Sequence, residues 1–259
     1  VEEDPVRYVH RYASPLDREA AGFAVALLTY GNVKQIFRSA ETMLEALGPS
    51  PRNTLEAADY AEWRRRLKGF RHRFTTGRQM ACVFVAIRRI FERHGSLENA
   101  FLENYRPGAP LRPALEAFVD KIYEAAPEPV LLRGHLVPAP RKGSSCKRLL
   151  MFLRWMARGG DGIDAGTWTR VRPADLVVPL DTHLLKISRL MNWGRRRSQD
   201  WKRAEEVTAR LRRLCPEDPL RYDFALCHMG ILRECRARRV ELLCSRCPLQ
   251  PHCRLWRKR

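Results

Sequence analysis

Apolar positions along this chain recur mostly at i, i+3, i+4 and i+7, the spacing of one helix face, rather than alternating as in a strand. The stretch "DREAAGFAVALLTYGNVKQIFRSAETMLEALG" keeps that period up to Gly48, with Gly31 as a kink or a break between two helices. "TLEAADYAEWRRRLKGF" predicts a second helix, with Thr54 as N-cap and Gly69 as stop. "GRQMACVFVAIRRIFERHG" is apolar enough to be central, "SLENAFLENY" is short and capped by Ser96, and "LRPALEAFVDKIYEAA" follows. "PEPVLLRGHLVPAPRKGSS" is too rich in Pro and Gly to be one helix. The helical period returns in "CKRLLMFLRWMARGG", and "VRPADLVVPL" is an extended link. Asp181 opens "DTHLLKISRLMNWG", after which "SQDWKRAEEVTARLRRLCP" and "DPLRYDFALCHMGILREC" complete the set. No strand ladder, internal repeat or low-complexity segment stands out. The expected fold class is all-α.

Composition adds a partner. The 259 residues suit one large domain or two smaller ones sharing a core, and 45% hydrophobic content is enough to fill it. The formal net charge of +19 points to a polyanion, nucleic acid before an anionic membrane surface. Arginine supplies most of it and is spread over many helices, unlike a disordered basic arm. No apolar run reaches the roughly 18 residues needed to span a bilayer. "VEEDPVRYVH" does not read as a secretory signal. The expectation is a cytoplasmic, nucleoid-associated chain in a reducing compartment, where clustered cysteines are metal ligands rather than disulfides.

Cys235, Cys244, Cys247 and Cys253 form such a group, spaced C-x8-C-x2-C-x5-C. Two ligands separated by two residues share one turn, and a longer arm swings the next one round. Pro248 and Pro251 keep that arm from becoming helix. An iron–sulfur cluster needs four converging thiolates. Four-cysteine zinc sites usually pair two short C-x2-C knuckles, and only one is present. Spacing alone leaves cluster, zinc and no metal open, with the cluster first. Cys82, Cys146, Cys215 and Cys227 read as buried small residues, with Cys227 a substitute ligand should Cys235 point away.

This C-terminal loop resembles that of the endonuclease III-like members of the helix-hairpin-helix DNA glycosylase superfamily. They share the C-x2-C-x5-C ending after a shorter first gap. "HMGILREC" resembles their entering helix, "VVPLDTHLLKISRL" their Val-Asp-Thr-His helix start, and "GFRHRFTTGRQM" their Gly-aromatic turn and helix, all in the same order. "GSSCKRLLMFLRWM" is closer to an uncharacterised bacterial branch of the superfamily. The resemblance implies two helical lobes with a cleft between them. One, residues 21–160, carries a degenerate hairpin; the other joins 1–20 to 161–259 and carries the loop 235–253. It also implies a [4Fe–4S] cluster on the four cysteines, with zinc as the alternative. The implied function is base-excision glycosylase, with or without abasic-site lyase activity, acting as a monomer on double-stranded DNA that bears a lesion. The alternative is a glycosylase-fold DNA- or RNA-binding protein without the chemistry. A zinc-stabilised helical protein that binds acidic protein partners is a third reading.

Asp181 corresponds to the family's catalytic carboxylate, and Lys147 stands where its bifunctional members carry a lysine. "LVPAPRKGSSCK" is longer than the family hairpin and has a single Gly, and 33 residues separate Lys147 from Asp181, with "RGGDGIDAGTWTRVRPAD" as the insertion. Asp181 is also an ordinary helix N-cap, where the dipole favours negative charge. Arg141, Lys142 and Arg148 are expected to crowd positive charge around Lys147. Gly143 and Ser144 at the hairpin, and Arg246 and Arg254 on the loop, are candidate phosphate contacts. The runs "WRRRL" and "GRRRS" read as solvated faces, and Trp155, Trp168 and Trp193 as core.

Overall fold

A computed structural model describes residues 4–256. The chain is mostly helical, with one very short two-stranded ladder among the described residues. A 3-10 helix, Pro5–Arg11, leads into α1 (Pro15–Leu28) and α2 (Val33–Leu47). Gly31 lies between them with φ of 97°, and Gly48 ends α2 with φ of 69°. These are left-handed positions where glycine carries no Cβ penalty.

The predicted second helix is two. α3 (Pro51–Ala57) starts before Thr54, because Pro51 sets φ for a first turn. Thr54 is no N-cap: its hydroxyl donates to the Ser50 carbonyl at 3.0 Å inside the helix. Ala58 is extended, and Asp59 opens α4 (Tyr60–Arg66) by accepting from the Glu62 N–H at 2.8 Å. A hairpin absent from the sequence prediction follows, with β1 (Arg71–His72) antiparallel to β2 (Thr75–Thr76).

The central α5 (Gly77–His94) starts with a Thr76–Gln79 capping box, and Ser96 caps α6 (Leu97–Leu102). α7 (Leu111–Ala125) and the single turn α8 (Pro129–Leu132) lead to a 3-10 turn, Pro140–Lys142, and then α9 (Lys147–Ala157). α10 (Thr182–Leu190), α11 (Trp201–Arg212), α12 (Asp223–Ile231) and the short α13 (Glu241–Cys244) complete the chain. α1 packs on α9 and on the N-terminal 3-10 helix, α5 on α7, and α10 on α12. One continuous apolar core joins them, with Trp155 and Trp168 buried inside and Trp193 partly buried at its edge. No described helix is long and apolar enough to cross a membrane.

Glu19 is the odd group in this core. It is buried, and its carboxylate accepts from the N–H groups of Leu97 and Glu98 and from the Trp168 indole. It thereby caps α6 from α1 and holds the segment after α9. Burial pushes its pKa from 4.5 up to about 7, the three donors opposing. Between those values the folded chain keeps a proton that the unfolded chain has released. Stability should therefore fall as pH rises through that window, by about 3 kcal/mol, and level off above it. Denaturant titrations of Glu19→Gln should lose this slope; parallel curves for variant and parent would refute the assignment.

Candidate functional site

The sequence-predicted pair occupies two helix starts. Lys147 is the first residue of α9, half-buried, with its Nζ 3.4 Å from the Thr29 carbonyl and no ion-pair partner among the described residues. Asp181 is the N-cap of α10, with one carboxylate oxygen accepting from the Leu184 N–H at 2.6 Å. The charges of both are felt at Cys227 on α12. Cys227 is half-buried. Burial first, then the carboxylates of Asp223 and Asp181, push its pKa well above the ordinary value, with Arg154 and Lys147 opposing. The sequence prediction of Cys227 as an ordinary buried cysteine is thus incomplete: Cys82, Cys146 and Cys215 are buried, and Cys227 is not fully so.

Two of the three cations expected around Lys147 have partners elsewhere. Arg148 is buried and donates to the carbonyls of Leu27 and His135, while Arg141 is paired with Asp120. Both have their charge directed to other partners. Gly143 has φ of 81° and donates its N–H to Pro140 within the turn, whereas the backbone N–H groups of Ser144 and Ser145 make no hydrogen bond among the described residues.

A buried ion network that the sequence prediction missed underlies the site. Arg154 on α9 is 2.5 Å from Asp223 on α12 and 3.2 Å from Asp164 in the insertion. Arg158 binds Asp161, Asp164 and Asp218. Burial lowers the Arg154 pKa, but Asp164 and Asp223 more than reverse it and keep the guanidinium charged. The insertion is therefore ordered, and Trp168 adds a backbone bond to Met156 at 2.7 Å. α12 reaches α10 just as closely: a Cβ on Gly230 would lie 2.5 Å from His183 Nδ1, so only glycine fits there.

The four C-terminal cysteines line one small apolar recess of about 30 Å³ with Ile187, Leu190 and Met229. Burial raises the Cys235 pKa; a backbone N–H from Ala237 opposes this, and the thiols of Cys247, Cys253 and Cys244 add to it. Val240 N–H points at Cys244 Sγ at 3.5 Å. Among the described residues no three His, Cys, Asp or Glu side chains are close enough to share a single ion. The loop docks on α10, with Arg254 N–H bonded to the Leu190 carbonyl at 2.9 Å, and the Arg246 and Arg254 side chains are exposed.

A family described as "Protein of unknown function (DUF2400)" matches residues 4–232, and the chain belongs to it. The match ends before Cys235. No curated protein and no solved structure matches the chain.

The ion network sets a stability test. Arg154→Leu leaves Asp223 buried without its counter-charge and should cost about 3–5 kcal/mol. The loss should be smaller at about pH 5 than at about pH 8, because orphaned buried carboxylates take up protons. Urea denaturation at both pH values measures it, and equal losses would mean that these carboxylates carry no charge in the parent.

Proposed function

We propose that this DUF2400 chain is a DNA base-excision glycosylase of the helix-hairpin-helix kind, with Lys147 giving it abasic-site lyase activity. The observation that carries the reading is that Lys147 and Asp181, separated by 33 residues, open two helices and both act electrostatically on the Cys227 thiol. In the arrangement we infer, residues 21–160 form one lobe and 1–20 with 161–259 the other. The pair faces the cleft between them. The packing of α1 on α9 and of α10 on α12 supports that division.

The chemistry follows from the pair. A base must leave the stack before its glycosidic bond can be reached. Cleavage puts positive charge on the sugar, which the Asp181 carboxylate beside it stabilises. The Lys147 amine, when neutral, attacks C1′; the C1′–N bond breaks, and the base departs with the bonding pair and takes up a proton. The amine loses a proton and the C1′–O4′ bond opens, giving an imine between Nζ and C1′. Proton loss from C2′ then expels the 3′-phosphate.

We assign Cys235, Cys244, Cys247 and Cys253 to one [4Fe–4S] cluster, or alternatively zinc, which would have to draw the four thiols closer together than they stand. The shared apolar recess, the mutual influence of the thiols and the N–H aimed at Cys244 support this. When bound, the group cross-links the loop, and no catalytic step runs through it. Arg246, Arg254 and the Gly143–Ser144 turn are assigned to DNA phosphates, supplying affinity rather than sequence choice. One observation favours a second reading, a DNA- or RNA-binding protein without the chemistry: the Gly143 N–H is already spent inside its own turn.

Borohydride trapping on duplex DNA with an abasic site tests the enzyme. The parent should form a covalent adduct, Lys147→Ala none, and Asp181→Asn should form it about 100-fold more slowly. Binding without an adduct would favour the second reading. Metal analysis tests the loop: the purified chain should contain iron and sulfide, and Cys247→Ser should lose both along with visible colour. Zinc without iron would replace the cluster assignment.

A further inference from the structure

The β1–β2 hairpin ends in a tip that folding stability does not explain. A two-residue hairpin loop favours Gly, Asn or Asp where φ is positive. Here the loop is Arg73–Phe74, and Arg73 has φ of 52°. Such strain in a non-glycine residue persists where its surroundings enforce it, commonly at functional sites. Gly31 leaves room for the Arg73 side chain, since a Cβ there would lie 2.6 Å from Arg73 Cδ. Phe74, next along, is 68% exposed. Strain and an exposed phenyl ring on one turn both act against stability.

Behind the tip stands a fixed aromatic ladder. Phe74 meets exposed His135 edge-on at 5.8 Å, and His135 meets Tyr30 at 4.7 Å. Tyr30 meets buried His72, also at 4.7 Å. The Tyr30 hydroxyl donates to the His72 carbonyl at 2.7 Å and accepts from the Thr75 N–H at 3.1 Å, which locks the ring to the hairpin. Arg73 lies 5.7 Å from the Phe74 ring centre and Arg148 4.9 Å from that of Tyr30. Burial, then Arg148 and Arg73, lower the His135 pKa, so the imidazole is neutral at neutral pH.

Its high exposure leaves much of the Phe74 ring open to solvent beside the Arg73 guanidinium. The Arg73 guanidinium, without an acidic partner among the described residues, selects an anionic partner over an apolar peptide, and an open ring selects a flat one. Bases in continuous duplex hide their faces in the stack, whereas an unpaired base offers one for aromatic stacking, with its phosphate near the cation. We propose that the Arg73–Phe74 tip is a stacking site for an unpaired nucleobase. The chain therefore prefers bulged or single-stranded nucleic acid to continuous duplex. The ladder adjoins the lysine end of the candidate site, since Lys147 Nζ contacts Thr29, the neighbour of Tyr30. The inference rests on the nucleic-acid part of the proposed function and not on the lysine chemistry.

Fluorescence titrations with the full chain test it, using a duplex with one bulged 2-aminopurine and the same duplex fully paired. The bulged probe should bind about tenfold more tightly and lose emission on binding. Phe74→Ser should abolish both the preference and the quenching while leaving paired-duplex affinity and the melting temperature unchanged. Phe74→Trp should retain the preference. A parent without preference, or a Phe74→Ser variant that keeps it, overturns the proposal. If either comes with a Lys147-dependent borohydride adduct, the stacking site alone has failed. A parent that binds neither probe removes the nucleic-acid reading and this site with it.

Discussion

The Arg154 guanidinium, enclosed by protein and held between Asp164 and Asp223, is the interaction on which the arrangement of the candidate site depends. A charge in that position is tolerated only with its counter-charges in place. Asp223 brings α12, and Asp164 brings the insertion. α9, which carries Arg154, begins with Lys147, while α12 carries Cys227. Gly230 of α12 packs on His183, two residues from Asp181. One buried cation thus couples segments that the chain separates widely.

Such pairs contribute position more than net stability, because desolvation offsets most of the Coulomb attraction. Nine of the eleven residues of α9 are buried, so apolar burial surrounds this helix and does little to mark one position along its axis. A slip along that axis would move Arg154 off both carboxylates. α10 carries the constraint further. Its first turn is capped by Asp181, and its last carbonyl, Leu190, receives the Arg254 N–H of the cysteine loop. This nine-residue helix therefore connects the proposed carboxylate to the proposed cluster loop. Loss of order in the loop would loosen the helix that holds Asp181.

Much of the helical order was legible in the sequence because it rests on local rules. Glycine at positive φ ended α2 and α5, and Ser96 and Asp181 capped as their positions predict. The failures were also local. The apolar period runs through Ala58 and Asp59, hiding the break that Asp59 makes by capping α4. Strands of two residues are too short to show alternation, so the hairpin left no signal. At the site, the cysteine spacing and the Asp-Thr-His start were readable. The ion network was not, because "RGGDGIDAG" has the composition of a solvated loop; only tertiary structure shows that Asp164 is buried. Cys227 gave no sign that it feels the charges of both Lys147 and Asp181.

The distribution of paired charge bears on where an anionic partner sits. The arginine runs are locally neutralised: Arg65 and Arg66 share Glu62, and Arg196 holds Asp200. Arg11 forms a two-point pair with Glu41, and Arg141 is matched to Asp120. Each such guanidinium would have to give up a carboxylate before meeting a phosphate. The cations without an acidic partner among the described residues include Arg73 at the hairpin tip, Lys142 and Lys147 around the start of α9, and Arg246 and Arg254 on the cysteine loop. Screening confines their pull to roughly 8 Å at physiological salt, so the local field is set by these groups and not by the net charge. Density of arginine in sequence is thus a poor guide to the binding face. The places to look for an anionic partner are therefore the hairpin tip, the start of α9 and the cysteine loop, where the cations keep their charge free of a carboxylate.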